Sequence, residues 1–221
     1  MGDVVRVSQS SPEPEALERA AEVLLGKGTL VMPTDSVYGI GCAALADNPA
    51  HERIFAIKRR DRSLTLPWLL ADASDLGRFC ADAPEWAYAV AQAFWPGALT
   101  LVVRASDEVP ACYLRDDGTI ALRVPDSELV RALARMVGVP LPTTSANLHG
   151  LPAAGSFSDL DPRLVAEADL TLDAGELPLG VASTIVDCTA GRPRIVREGP
   201  IAPGAIEEVA HGARGHSVSL S

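Results

Sequence analysis

Aromatic residues are scarce in this chain of 221 residues: 3 Trp, 3 Tyr and 4 Phe make up 5% of it. So few rings leave little for stacking nucleobases on an open surface. Positive charge is also in the minority. With 19 Lys and Arg against 29 Asp and Glu the formal net charge is −10, so bulk attraction does not draw the chain to a polyanion and any anion site has to be local. The four cysteines, Cys42, Cys80, Cys112 and Cys188, are too far apart for a CxxC pair. That excludes a zinc ribbon or dithiol redox centre and fits small core residues in a reducing compartment. Of the four histidines, His211 and His216 lie near the end, His51 in a helical stretch and His149 in a turn after Asn147, and no GxSxG occurs. A hydrolase triad built on a histidine base is therefore not supported. No apolar run approaches the roughly eighteen residues of a membrane span, and "MGDVVRVSQSSPEPE" lacks a basic region followed by an apolar one, so the expected setting is cytoplasmic, with no membrane.

What the chain has is apolar bulk, 48% of its residues, and a regular alternation of patterns. "SPEPEALERAAEVLLGKG" reads as a helix capped by Ser11 and stopped by Gly26 and Gly28; "NPAHERIFAIKRR" reads as a helix capped by Asn48 and ending in exposed basic residues. "APEWAYAVAQAFWPG", "DSELVRALARMVG" and "DPRLVAEA" are further helices, while "LTLPWLLAD", "ALTLVVRA", "GTIALRVP", "VPLPTTSAN" and "DLTLDAG" are strand-like. "VASTIVDCT" and "RPRIVREG" read as a hairpin turned at "AGR". Helices interleaved with strands, and consecutive strands at the end, predict a single α/β domain with a mixed sheet. Residues 1–203 are assigned to it, and 204–221, rich in small and polar residues, are expected to be a loosely held tail.

Two motifs promise more than they hold. "LLGKGT" lacks the first glycine and the hydroxyl of a phosphate loop and suits a helix terminus better. "GIGCAA" satisfies GxGxxA, but polar and turn-prone residues precede it and Asp47-Asn48-Pro49 cut it short, so a tight backbone passage is expected, with a nicotinamide enzyme as the minority reading.

Hydroxyl and basic residues gather at the ends of apolar runs: Pro33-Thr34-Asp35-Ser36, Lys58-Arg59-Arg60, Arg123, Thr144-Ser145-Ala146-Asn147, Ser183-Thr184 and Arg197. Loops at strand ends are where α/β sheets bind ligands, and these side chains suit phosphate and carboxylate. Together they predict a concave anion-binding cavity.

"PTDSVYG", "IKRR", "FWPGALTLVV", "RVP", "TSAN", "STIVD" and "REGPI" follow one another in the order of the YrdC-type threonylcarbamoyl-AMP synthases, which the chain resembles from about Gly26 to Ile201. The resemblance implies a YrdC-like fold, a twisted mixed sheet with flanking helices around a cationic cavity. It also implies a nucleotidyltransferase that makes threonylcarbamoyl-adenylate and pyrophosphate from L-threonine, bicarbonate and Mg2+-bound ATP. A downstream complex would pass the threonylcarbamoyl group to tRNA, and RNA binding belongs to the same family picture. By the same resemblance Lys58 and Arg60 hold the phosphates and are the catalytic pair, Thr119, Ser145, Asn147 and Arg197 contact ATP, and Arg123 pairs with the threonine carboxylate. Thr34, Ser36, Ser145 and Ser183 line the threonine end; no metal ligand is expected from the protein. The alternative is a YciO-like relative that binds nucleotide or RNA without efficient synthase activity: Asp61 follows "KRR" where the synthases usually have proline, His149 stands where a small hydroxyl is common and Glu198 where proline often is, although "SAN" is intact.

Overall fold

The structure, a computed structural model, describes residues 2–59, 61, 65–148 and 150–216. Among them lie the strands β1 (Asp3–Arg6), β2 (Leu30–Met32), β3 (Gly39–Gly41), β4 (Trp68–Leu69), β5 (Leu99–Arg104), β6 (Thr119–Arg123), β7 (Leu141–Ser145), β8 (Leu170–Asp173), β9 (Thr184–Asp187) and β10 (Arg194–Arg197). The helices are α1 (Pro14–Leu25), α2 (Pro49–Lys58), α3 (Leu76–Phe79), α4 (Glu85–Phe94), α5 (Glu128–Val137), α6 (Pro162–Glu167) and α7 (Pro203–His216). The strands form one sheet in the order β1-β8-β2-β3-β7-β4-β6-β5-β9-β10. Parallel pairs (β1/β8, β2/β8, β4/β6, β5/β9) and antiparallel ones (such as β2/β3, β5/β6 and β9/β10) make it mixed, as the alternation of patterns implies.

Period-two alternation decides what each strand faces. In β2, Leu30 and Met32 join a core with α1 and α5, while Val31 turns to the opposite face and packs with Ile54 and Phe55 of α2. The second half of the sheet is covered on one side only by a third core, in which Leu99, Leu101 and Val103 of β5 and Ile120 and Leu122 of β6 pack with Trp86 and Val90 of α4. The residues between them, Thr100, Val102, Thr119, Ala121 and Arg123, face the other way into a cavity. The site is thus the uncovered face of this half-sheet.

Several local readings are corrected. "GIGCAA" forms β3, paired antiparallel to β2 and β7, instead of a turn into a helix, which removes the ground for a dinucleotide site. It is the expected close passage: a Cβ on Gly41 would lie 2.4 Å from Thr143 Oγ1. Helix α1 starts after Glu13, with Ser11 outside it, because Pro14 suits the first helical position. β4 is only two residues long, and β1 carries no sequence signature, because its residues are mostly exposed at the sheet edge and no burial pattern marks them. The expected loose tail differs most over residues 204–216, while residues 217–221 of it lie outside the described residues. Residues 203–216 form α7, which packs along α4 with Ile206 and Ala210, one turn apart, fully or almost fully buried.

Ile206→Ala is therefore expected to cost about 2–4 kcal/mol of stability, the scale of a buried isoleucine truncation. A denaturant titration checks this: an unchanged midpoint would mean that the segment is loosely held after all.

Candidate functional site

The cavity has a volume of about 350 Å³ and is walled by three segments. The half-sheet supplies Thr100, Val102, Thr119, Ala121, Arg123, Ile185 and Asp187; the turn after β2 supplies Thr34, Ser36 and Val37; the end of β7 supplies Thr143, Thr144 and Ser145. β10 closes the edge, and a bulge between Ile195 and Arg197 breaks its alternation, so that Val196 and Arg197 both line the cavity. This edge can lie close only because residue 199 is glycine: a Cβ there would come within 2.4 Å of the Thr184 nitrogen.

A directed chain of hydrogen bonds organises the deep end. Arg123 is buried at 6% exposure, and its Nη1 donates to Ser36 Oγ at 2.8 Å, its Nη2 to Asp35 Oδ1 at 2.6 Å and its Nε to the Gly97 carbonyl at 3.0 Å. Thr34 Oγ1 donates to the Val37 carbonyl at 2.8 Å, so its contact with Ser36 Oγ at 3.0 Å is one in which the serine donates. Backbone N–H groups of Ser36 and Val37 also point to Thr34 Oγ1, at 3.1 and 3.3 Å. Thr34 is therefore the hub of a side-chain turn that sets Ser36 under Arg123.

On the opposite wall Arg197 donates through Nε and Nη2 to the Ser183 carbonyl, at 3.0 and 2.8 Å, and through Nη2 to Ser183 Oγ at 3.1 Å. Thr100 Oγ1 lies 2.8 Å from the same hydroxyl. Two Asp-x-Thr turns flank the mouth. Thr119 Oγ1 donates to Asp117 at 2.5 Å and Thr189 Oγ1 to Asp187 at 2.7 Å.

Electrostatically the cavity is cationic inside an acidic protein. Four arginines (Arg115, Arg123, Arg194, Arg197) and two aspartates (Asp117, Asp187) line it. Arg123 pairs with Asp35, Arg194 with Asp187 and Arg115 more distantly with Asp117, which leaves Arg197 as the cavity arginine without an acidic partner among the described residues. Loss of hydration lowers the pKa of both Arg123 and Arg197; Asp35 opposes the shift at Arg123, while the positive charge of Arg123 adds to it at Arg197. The hydroxyl of Thr119 is the main reason that the Asp117 carboxyl stays below its usual range. Burial pushes Asp187 the other way, but Arg194 and Thr189 outweigh it and keep that carboxyl low too. A cavity with these groups suits an anion whose charge is unevenly spread.

Of the residues singled out in the sequence, Thr34, Ser36, Thr119, Arg123, Ser145, Ser183 and Arg197 all reach this one cavity. Lys58 does not line it. Expected at an exposed helix end, its side chain runs inward at 1% exposure and its Nζ donates to the carbonyls of Ser145 and Asn147 and, at 3.3 Å, to Asn147 Oδ1. The left-handed Arg59 ends the helix just beyond it. Asn147 sits behind Ser145, with its Nδ2 donating to the Leu148 carbonyl at 3.1 Å and the Leu151 carbonyl at 2.6 Å. Arg60 and His149 lie outside the described residues. Sequence reasoning missed the pairing of Asp35 with Arg123 and the contact of Thr100 with Ser183. Each residue left a signal, Asp35 as an acid inside a hydroxyl cluster and Thr100 as a polar residue in an apolar run, but neither pairing did.

A family profile described as telomere recombination, that of the Sua5, YciO and YrdC proteins, matches residues 22–199. The threonylcarbamoyl-AMP synthase of Pyrococcus abyssi is 34% identical over 199 residues, covering 90% of this chain and 58% of that protein. A structure of P. abyssi Sua5 complexed with L-threonine superposes with a TM-score of 0.85 at 31% identity, covering 93% of this chain and 60% of that one. The structure of Escherichia coli YciO superposes with a TM-score of 0.82 at 29% identity, covering 91% and 98%. The chain thus spans about three fifths of the length of the P. abyssi protein and nearly all of YciO. A match over most of the length, in sequence and in fold, means that the chain belongs to the Sua5/YciO/YrdC family.

Proposed function

We propose that the protein is an L-threonylcarbamoyladenylate synthase, which joins L-threonine, bicarbonate and ATP into threonylcarbamoyl-AMP with release of pyrophosphate. The observation that carries this is the convergence on a single cavity of Arg123, paired with Asp35, of Arg197, which has no acidic partner among the described residues, and of the hydroxyls of Thr34, Ser36, Thr119, Ser145 and Ser183. The relative solved with L-threonine has the same fold. Arg123 holds the amino acid's carboxylate beside Ser36 and Ser183. Arg197, Thr119 and Ser145 face the nucleotide, with Arg60 completing the phosphate contacts. Lys58 holds the Ser145–Asn147 turn from behind.

The threonine amine and bicarbonate condense to a carbamate with loss of water. A carbamate oxygen then bonds to the α-phosphorus of ATP, the bond to the bridging oxygen breaks, and pyrophosphate leaves with that electron pair. Arginines that already face the cavity stabilise charge without reorganising, which is the main contribution such a site makes. Magnesium enters as part of the Mg–ATP substrate, carried by the phosphates; Asp117 and Asp187 already accept hydrogen bonds from threonine and arginine. We further infer cytoplasmic work on behalf of tRNA, with a separate transfer complex consuming the adenylate and with RNA contact, double-stranded RNA included, confined to that step. No described helix is long and apolar enough to cross a membrane. The second reading, a YciO-like nucleotide or RNA binder without efficient synthesis, is favoured by Asp61 and by the near-complete coverage of YciO.

Pyrophosphate release is expected to need threonine and bicarbonate together, because no nucleophile exists before the carbamate forms. Undiminished release from ATP alone in a coupled phosphate assay would leave an ordinary pyrophosphohydrolase. Because a site that bonds a hydroxyl rejects analogues lacking it more strongly than one that misses a methyl, serine should be a poor substrate and valine a worse one. A competition assay that ranks valine above serine contradicts the hydroxyl-lined pocket.

Arg197→Ala is expected to cost about 2–4 kcal/mol of transition-state stabilisation with little change in melting temperature. Lys58→Ala should lower both, since it strands buried acceptors at about 1–3 kcal/mol. Steady-state kinetics beside thermal melts separate the two, and a Lys58→Ala variant that melts normally would remove the lysine from its clamping role.

A further inference from the structure

Asp35 stands apart from the other polar residues of its turn. Thr34, Ser36 and Val37 line the cavity, whereas Asp35 lies behind it at 6% exposure, and its Oδ1 accepts from Arg123 Nη2 at 2.6 Å. A buried carboxylate that does not line the cavity but pairs with an arginine that does acts on the site through that arginine. Arg123 has five N–H groups, and three are taken, by Gly97, Ser36 and Asp35. Two remain without a partner among the described residues, on a side chain that lines the cavity. The other charge within its influence is that of Arg197, which has no acidic partner among the described residues.

We propose that Asp35 is a positioning residue: it fixes the Arg123 guanidinium so that its two open N–H groups meet an amino-acid carboxylate, and it offsets one of two neighbouring arginine charges so that simple inorganic anions do not occupy the site. The proposal rests on the synthase reading for the identity of the carboxylate, but not for the hold on Arg123. Without Asp35 the guanidinium keeps two anchors, Gly97 and Ser36, beside an uncompensated Arg197. A buried arginine freed of its counter-charge attracts small inorganic anions such as chloride and phosphate.

The position and the charge can be separated by two variants of the full chain. Asp35→Asn keeps the shape and loses the charge. It is expected to raise the threonine KM about tenfold with the ATP KM within about twofold, and to make the threonine KM climb with chloride concentration. Asp35→Glu keeps the charge and shifts the oxygen by one methylene, so it should raise the threonine KM while leaving it insensitive to chloride. Calorimetry with inorganic phosphate in the absence of ATP should detect binding to Asp35→Asn and none to the wild type. A residue of purely structural importance would lower the melting temperature in both variants without moving the threonine KM or the chloride response, and that result overturns the proposal. If Asp35→Asn does not fold, Asp35→Glu decides alone, and an unchanged threonine KM in it is equally fatal. A wild type that releases no pyrophosphate with threonine would refute the synthase reading instead, and the phosphate titration would still test the hold of Asp35 on Arg123.

Discussion

The two-sidedness of a strand governs this molecule. In β5, β6 and β9 the residues that alternate with Leu99, Leu101, Ile120, Leu122 and Val186 cannot be buried in the same core, and they become the floor of the cavity. A one-residue slip in β6 would exchange Arg123 for Leu122, put a charge into the apolar layer and empty the site. Stability and function therefore share a register. The bulge in β10 breaks the pattern and turns an additional side chain, Arg197, to the cavity.

Charge follows from that geometry. The protein is acidic, and of its basic residues only Lys27 and Lys58 are lysines. Lys58 is spent on backbone carbonyls, so among the described residues the cavity is cationic through arginine alone. Arginine fits this role, since it keeps its charge when partly desolvated and offers a planar fork of donors to carboxylate or phosphate. The cost of burying Arg123 is met by Asp35, Ser36 and the Gly97 carbonyl. The three come from two loops, the turn after β2 and the segment before β5, so the arginine also ties these loops together.

Much of this was legible beforehand, for physical reasons that can be named. Asn48-Pro49 marked the start of α2, the alternation in "TIALRVP" marked β6, and the clusters of hydroxyls and basic residues at run ends marked the cavity lining. Direction was not legible. Lys58 sits at a helix end, where a sequence suggests solvent, but its stem spans inward to a turn 87 residues later, a distance in sequence that no local pattern encodes. Asp35 lay in plain view between two hydroxyls, yet its partner is 88 residues away. α7 was obscured by three glycines and the small residues around them, and its burial depends on α4, not on its own propensity.

On the proposed reaction, this one cavity joins an amino acid to a nucleotide through a carbon taken from bicarbonate. Purified protein incubated with ATP, L-threonine and carbon-labelled bicarbonate, followed by mass spectrometry of the nucleotide products, tests it most directly. The expected product is an adenylate that carries both threonine and the bicarbonate label. Recovery of unlabelled AMP, or of ATP unchanged while both threonine and nucleotide bind, would contradict the claim and leave a binding protein on the same fold.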